Sequence, residues 1–79
     1  MQVTIDFMGP VLRPPGVATN PHTATVAPTT TVQALLLGLG YQPAHVRHLA
    51  VFREGDRLPP TTELRDGDVV TLSVPFGGG

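Results

Sequence analysis

The residues best suited to chemistry in this sequence are three consecutive glycines, Gly77, Gly78 and Gly79, at its C-terminal end. Glycine has no Cβ, so a glycine segment fits a narrow channel that would exclude side chains, and it adopts backbone angles that other residues avoid. We therefore predict that this glycine segment is the functional part of the chain, and that the rest of the protein presents it.

Two residues join these glycines to the preceding strand pattern. Pro75 has no N–H for a sheet ladder, so it should direct the chain out of the sheet. Phe76 would then be an exposed aromatic side chain just before the glycines, and such a residue is a typical anchor for an apolar pocket. We predict that Pro75 and Phe76 contact a partner together with Gly77 and Gly78.

Other candidate sites in the sequence are weaker. His45 and His48 could share a helical face, but zinc sites need three or four ligands and His22 is far away in the sequence. The glycines of residues 38–40 end a predicted helix, whereas phosphate-binding glycine loops begin one. No Ser-His-Asp set stands out, and the acidic residues lie mostly in turns. We expect no metal site, no catalytic residue and no bound cofactor.

Composition narrows the class of protein. The 79 residues are enough for one domain, and 41% are hydrophobic. There is no cysteine, so disulfides and thiolate chemistry are excluded. The net charge of −1 and the lack of a basic patch argue against nucleic acid as a partner. No apolar run suits a membrane span and no signal-peptide pattern opens the chain, so we expect a cytoplasmic protein without a membrane partner.

All five basic residues are arginine. A bias of the genome explains this simply. A functional explanation concerns nucleophiles, since a chain without lysine offers only its N-terminal amine.

The first half of the chain contains two strand patterns and a helix pattern. Residues 2–8 alternate, with Val3, Ile5 and Phe7 on one face. A proline-rich connection precedes a second strand expected within residues 21–27. Thr31 is the predicted N-cap of a helix that Gly38 and Gly40 end. The apolar stripe of that helix consists of Val32, Leu35, Leu36 and Leu39.

The second half contains a strand, a short return strand and a last strand. The pattern of residues 49–58 predicts a strand, a tight turn at Glu54-Gly55-Asp56 and a short return. A loop with Asp66-Gly67 leads to a strand over residues 68–74. One of Val51 and Phe52 must point away from the helix, and an apolar residue there suggests a docking patch. We predict Val51 as a partner contact.

This order of elements predicts an α+β fold. The first two strands can form a hairpin, and the helix crossing then places the last strand parallel to the first. The expected architecture is a β-grasp (ubiquitin-like) mixed sheet of four to five strands with one main helix packed on one face. We expect residues 1–74 to form this domain and residues 75–79 to form a flexible tail.

The sequence resembles the ThiS/MoaD family of ubiquitin-like sulfur carriers. The matching segments are TTVQALLLGLGYQPAHV, LAVFREGDRLPPTTELRDGDVVTLSV and the final GGG. In that family the helix opens with Thr-Val and closes with Leu-Gly, the last strand follows an Asp-Gly-Asp turn, and the chain ends in Gly-Gly. The resemblance covers roughly the last fifty residues well and the first strand loosely. The connection after the first strand is longer here, and Glu54-Gly55 replaces an Asn-Gly turn.

The resemblance implies a reaction carried out by partners. A ubiquitin-activating-type adenylyltransferase would use ATP and Mg²⁺ to convert the carboxylate of Gly79 into an acyl-adenylate. A sulfur donor of the cysteine desulfurase or rhodanese type would then supply sulfur, leaving a thiocarboxylate. A downstream synthase or target protein would receive it in cofactor, tRNA or amino-acid biosynthesis.

Three alternatives remain open at this point. The activated Gly79 could instead form an isopeptide bond to lysines, which would make the chain a protein modifier. The chain could also be the small subunit of a larger synthase. It could finally be a β-grasp interaction module whose C-terminal glycines have no role.

Overall fold

The computed structural model describes residues 1–9, 11, 13–14 and 16–74, which form five strands and two helices. In chain order these are β1 (Gln2–Phe7), β2 (His22–Thr25), α1 (Val32–Leu39), α2 (Pro43–Val46), β3 (Ala50–Arg53), β4 (Asp56–Leu58) and β5 (Val69–Ser73). The predicted elements are all present, with bounds that differ by a few residues.

One mixed sheet contains all five strands, in the order β2-β1-β5-β3-β4. The central strand β5 is parallel to β1, with Ile5 beside Val70, and antiparallel to β3, with Val51 beside Leu72. The β1–β2 and β3–β4 pairs are antiparallel. This is the predicted β-grasp architecture, and the parallel pairing of the first and last strands is confirmed.

The core lies between one face of the sheet and α1. The alternation in β1 and β5 places every second side chain against the helix, and Ile5 and Leu72 have no exposed surface. Val32, Leu35 and Leu36 of α1 are buried, while Leu39 is only half-buried. The predicted apolar stripe therefore packs where expected. Among the described residues no polar side chain is fully buried.

The start of α1 is closed by its own cap and by a neighbouring loop. Thr31 Oγ1 accepts a hydrogen bond from the Ala34 N–H at 3.2 Å, as predicted for an N-cap. The Val32 N–H donates to the Thr62 carbonyl at 2.9 Å, and the Gln33 N–H donates to the Pro60 carbonyl at 3.0 Å. These bonds use donors that a helix start otherwise leaves unpaired, and they tie the loop after β4 to the helix.

The end of α1 corrects one detail of the prediction. Gly38 lies within the helix, and Gly40 alone is the C-cap, with a φ of 113°. A Cβ at Gly40 would also lie 3.3 Å from Cβ of Pro14. Glycine is therefore favoured there by both the left-handed backbone and the close approach of the chain that follows β1. In that connection Val11 and Val17 are buried in the core, which the sequence did not indicate.

Candidate functional site at the end of β5

The candidate reactive segment continues directly from the central strand. The predicted site residues Pro75, Phe76, Gly77, Gly78 and Gly79 lie outside the described residues. The structure describes the folded part of the chain that precedes them, and this part ends at Val74. This side chain is half-buried and packs against the core. Five residues of extended chain span at most roughly 17 Å.

The last residues of β5 are paired with a neighbouring strand on each edge. Leu72 lies beside Phe7 of β1, and Ser73 lies beside Ala50 of β3. The Met8 N–H donates to the Leu72 carbonyl at 2.9 Å, which extends the parallel pairing one residue beyond β1. A strand paired on both edges cannot shift without breaking two ladders, so the starting point of the C-terminal segment is fixed.

The structure does not place Val51 on the open face of the sheet, where a docking patch was expected, and its contact with a partner stays a prediction. Val51 is 2% exposed and lies in the core, because its register opposite Leu72 turns it toward α1. Phe52 is the member of the pair on the open face of the sheet, beside Thr71 of β5, and it is half-buried. Alternation required one outward residue, but only the register could decide which one.

The open face of the sheet also carries apolar residues that sequence reasoning did not select. Met8 and Val69 are 57% and 61% exposed, respectively. Met8 follows β1 on the side where β5 ends, and Val69 begins β5 at its far end. The alternation of residues 68–74 did place Val69 on the outer face, but a valine in a strand pattern is not by itself a sign of exposure.

The ion pair near β5 has a structural role away from the site. Arg53 Nη1 lies 2.9 Å from Asp68 Oδ2, and the same carboxylate accepts the Arg65 N–H at 2.8 Å. Asp68 precedes β5, so these contacts hold the start of the strand and not its end. They close the loop that returns the chain to the centre of the sheet.

His45, one of the candidate metal ligands, contacts a buried aromatic ring in the structure. The His45 ring on α2 meets the buried Tyr41 ring edge-on, with centroids 5.7 Å apart. Burial raises the pKa of the Tyr41 phenol above 10.0.

Over residues 1–9, 11, 13–14 and 16–74, no three His, Asp or Glu side chains are grouped so that they could hold a metal ion. No helix in the same part of the chain is long and apolar enough to cross a membrane.

The mixed five-stranded sheet with its packed helix defines a class, the ubiquitin-like β-grasp proteins. A sequence profile of the ThiS family matches residues 17–79. The chain belongs to the ThiS family, which consists of small sulfur carrier proteins and not of catalytic enzymes. The resemblance seen in the sequence is therefore confirmed.

A solved structure supports the fold assignment. It is a protein–protein complex of subunits 1 and 2 of molybdopterin-converting factor from Helicobacter pylori 26695. The match has a TM-score of 0.61 and 22% identity, and it covers 100% of both chains. At that identity the likeness establishes the β-grasp fold. No match was found among curated proteins.

Proposed function

We propose that this protein carries sulfur as a thiocarboxylate on Gly79. Membership in the ThiS family is the observation that carries the proposal. It is supported by the attachment of the C-terminal segment to the central strand β5, which is paired on both edges. A rigid base of this kind lets a partner locate the folded domain and find the terminal carboxylate within reach.

The proposed activation takes place on a partner adenylyltransferase. The Gly79 carboxylate attacks the α-phosphorus of ATP, pyrophosphate leaves, and an acyl-adenylate forms. Mg²⁺ bound with the nucleotide neutralises the phosphate charge. Gly77 and Gly78 are the segment that threads the active site, Pro75 turns the chain out of the sheet, and Phe76 occupies a pocket of the partner.

The sulfur must come from a second protein because this chain has no cysteine. A persulfide on a cysteine desulfurase or rhodanese-type donor attacks the acyl carbon and AMP leaves. A further thiol then reduces the acyl disulfide, which releases the thiocarboxylate and leaves a disulfide between the donor thiols. The cytoplasm is the expected compartment, since it supplies both ATP and thiols. A downstream synthase or target protein receives the sulfur.

Intact-mass and fragment-ion spectrometry of the protein purified from its own cells tests this proposal. Replacement of one oxygen by sulfur adds about 16 Da, nearly the same as oxidation of a methionine. Fragment ions must therefore place the added mass on Gly79 and not on Met1 or Met8. A plain carboxylate after incubation with ATP, Mg²⁺, a candidate activating enzyme and a sulfur donor would contradict the proposal.

The second candidate function is that of a protein modifier. The absence of lysine favours it, because an activated Gly79 could then acylate the lysines of other proteins without forming chains linked through its own lysines. Adducts of Gly79 on target lysines in the same cell extract would support this function. Stable co-purification with a larger subunit would instead indicate a synthase small subunit. A plain carboxylate, no adducts and no such subunit would leave a β-grasp interaction module.

A further inference from the structure

A groove of about 580 Å³ lies on the side of the molecule away from the β1–β2 hairpin. It runs between α1, α2 and the chain that leaves the edge strand β4. Val32 and Leu36 of α1 form one side, Val46 of α2 and its C-cap residue Arg47 form the second, and residues 58–60 form the third. The volume is within the range of binding sites in proteins, roughly 300–1,000 Å³.

The walls of this groove are preformed. Pro43, Pro59 and Pro60 line it, and proline has a fixed φ, so these segments lose little entropy when a ligand binds. The Pro60 carbonyl accepts the Gln33 N–H at 3.0 Å, which ties the wall after β4 to the start of α1. Leu36, at the base, is a 2% exposed core residue and cannot swing out to fill the groove.

The charged residues that line the groove are all positive. They are Arg47, an exposed residue that caps the C-terminal end of α2, and Arg57, on the edge strand β4. None of the six acidic residues of the chain lines the groove, although the protein as a whole has a net charge of −1. Within the described part of the chain, neither arginine is within ion-pair distance of a carboxylate. An apolar groove with unneutralised guanidinium groups complements a ligand that combines apolar and acidic groups.

The shape favours a peptide as that ligand. Small-molecule sites enclose most of the ligand surface, whereas this groove is only partly enclosed by two helices and a loop. We propose that the groove binds a short segment of a partner protein in which apolar side chains are flanked by Asp or Glu. The apolar side chains lie between Val46 and Leu58, and the carboxylates pair with Arg47 and Arg57. This site does not depend on the chemistry proposed for Gly79.

Titration of the full-length, ¹⁵N-labelled protein with three blocked synthetic peptides tests the proposal. The first peptide has two leucines flanked by glutamates, the second has lysine in place of each glutamate, and the third has serine in place of each leucine. We expect the first to shift amide signals of the groove residues selectively. The second and third should bind at least about tenfold more weakly, because each lacks one of the two complementary features.

Charge-reversal variants supply the matched control. Arg47→Glu and Arg57→Glu should each weaken the leucine-glutamate peptide at least about threefold, since each replaces an attraction with a repulsion. Arg13→Glu makes the same change at an exposed residue outside the groove and should leave the affinity unchanged. Unchanged amide spectra away from the substitutions show that the variants fold.

Several results would overturn the peptide proposal. The first is that the leucine-glutamate peptide, at millimolar concentration, leaves the amide signals of the groove residues unchanged. The second is that the lysine peptide binds equally well, and the third is that Arg13→Glu weakens binding as much as the groove variants do. Selective groove shifts with decanoate but not with the peptide would make this a small-molecule site. If the amide signals of the groove residues change with protein concentration in the absence of any ligand, the groove is an interface between two copies of the chain.

Discussion

The side-chain amide of Asn20 pairs with both polar backbone atoms of Phe7. The Phe7 N–H donates to Asn20 Oδ1, and Asn20 Nδ2 donates to the Phe7 carbonyl, each at 2.9 Å. The pairing of β1 with β2 ends at Ile5 and His22. Beyond that pair, the side chain of Asn20 makes the hydrogen bonds to Phe7 that the backbone of a neighbouring strand would otherwise make. The opposite edge of β1 at this point is paired with β5, where the candidate C-terminal segment begins.

Replacing Asn20 should therefore loosen the end of β1. We expect Asn20→Ala to lower the free energy of unfolding by about 1–2 kcal/mol, because two hydrogen bonds to backbone are lost. Asn20→Asp keeps the acceptor for the Phe7 N–H but sets an oxygen against the Phe7 carbonyl, so it should also destabilise. Urea unfolding measures both. If the free energy of unfolding of Asn20→Ala changes by less than about 0.3 kcal/mol, this pairing does not contribute measurably to stability.

Two valines on opposite faces of the sheet test the corrected register. Val51→Ala should lower the free energy of unfolding by about 2 kcal/mol, since it removes two buried methyl groups and leaves a cavity. Val69→Ala is the matched control, because the same atoms are removed from a side chain that is 61% exposed, and we expect a change within about 0.5 kcal/mol. Equal effects in chemical denaturation would contradict the assignment of Val51 to the core.

The β3–β4 turn offers a stabilising substitution. Its two residues, Glu54 and Gly55, have φ values of 53° and 84°, and positive φ at both positions is typical of a type I′ turn. Asparagine tolerates this conformation better than glutamate, so Glu54→Asn should raise the free energy of unfolding by about 0.5–1 kcal/mol. Glu63→Asn, outside the turn, is the control and should bring no gain. A loss of stability in Glu54→Asn would count against a left-handed backbone at this position.

Tyr41 should govern the stability of the protein at alkaline pH. The chain has one tyrosine, no lysine and no cysteine, so between about pH 9 and pH 12 it is the only side chain expected to titrate. Its folded pKa is raised by burial, so above pH 10.0 the unfolded chain loses the phenolic proton first and the native state holds more protons. Stability is therefore fully present below pH 10.0 and falls as pH rises, by at most about 1.4 kcal/mol per pH unit.

Urea unfolding between pH 8 and pH 11.5 measures this dependence. Tyr41→Phe should remove the alkaline slope, whatever its effect on stability at neutral pH. Persistence of the slope in Tyr41→Phe would assign it to another group.

Removal of the C-terminal glycines should separate function from stability. Within the part of the chain that the structure describes, the buried core extends from Val3 to Leu72. We therefore expect deletion of Gly78 and Gly79 to leave the free energy of unfolding unchanged within about 0.5 kcal/mol. The proposed function requires that the same deletion abolish ATP-dependent activation, measured as pyrophosphate release with the partner enzyme. Activation that survives the deletion would remove Gly79 from the mechanism.

Local rules in the sequence determined much of the fold. The alternation of β1 and β5, the cap at Thr31 and the apolar stripe of α1 depend on neighbouring residues only, and all appear in the structure. The glycine segment was also visible, since its residue type and its place after a strand are properties of the sequence. Together these features were enough to predict the β-grasp fold and the ThiS resemblance.

The tertiary structure alone decided the features that depend on distant residues. Whether Val51 or Phe52 faces the helix depends on register, and a shift by one residue would exchange the two. The burial of Val11 and Val17, the pairing of Asn20 with Phe7 and the contact of Pro14 with Gly40 have no periodic signal. The same holds for the groove with Arg47 and Arg57, because it forms only when α2 and the chain after β4 are packed beside α1.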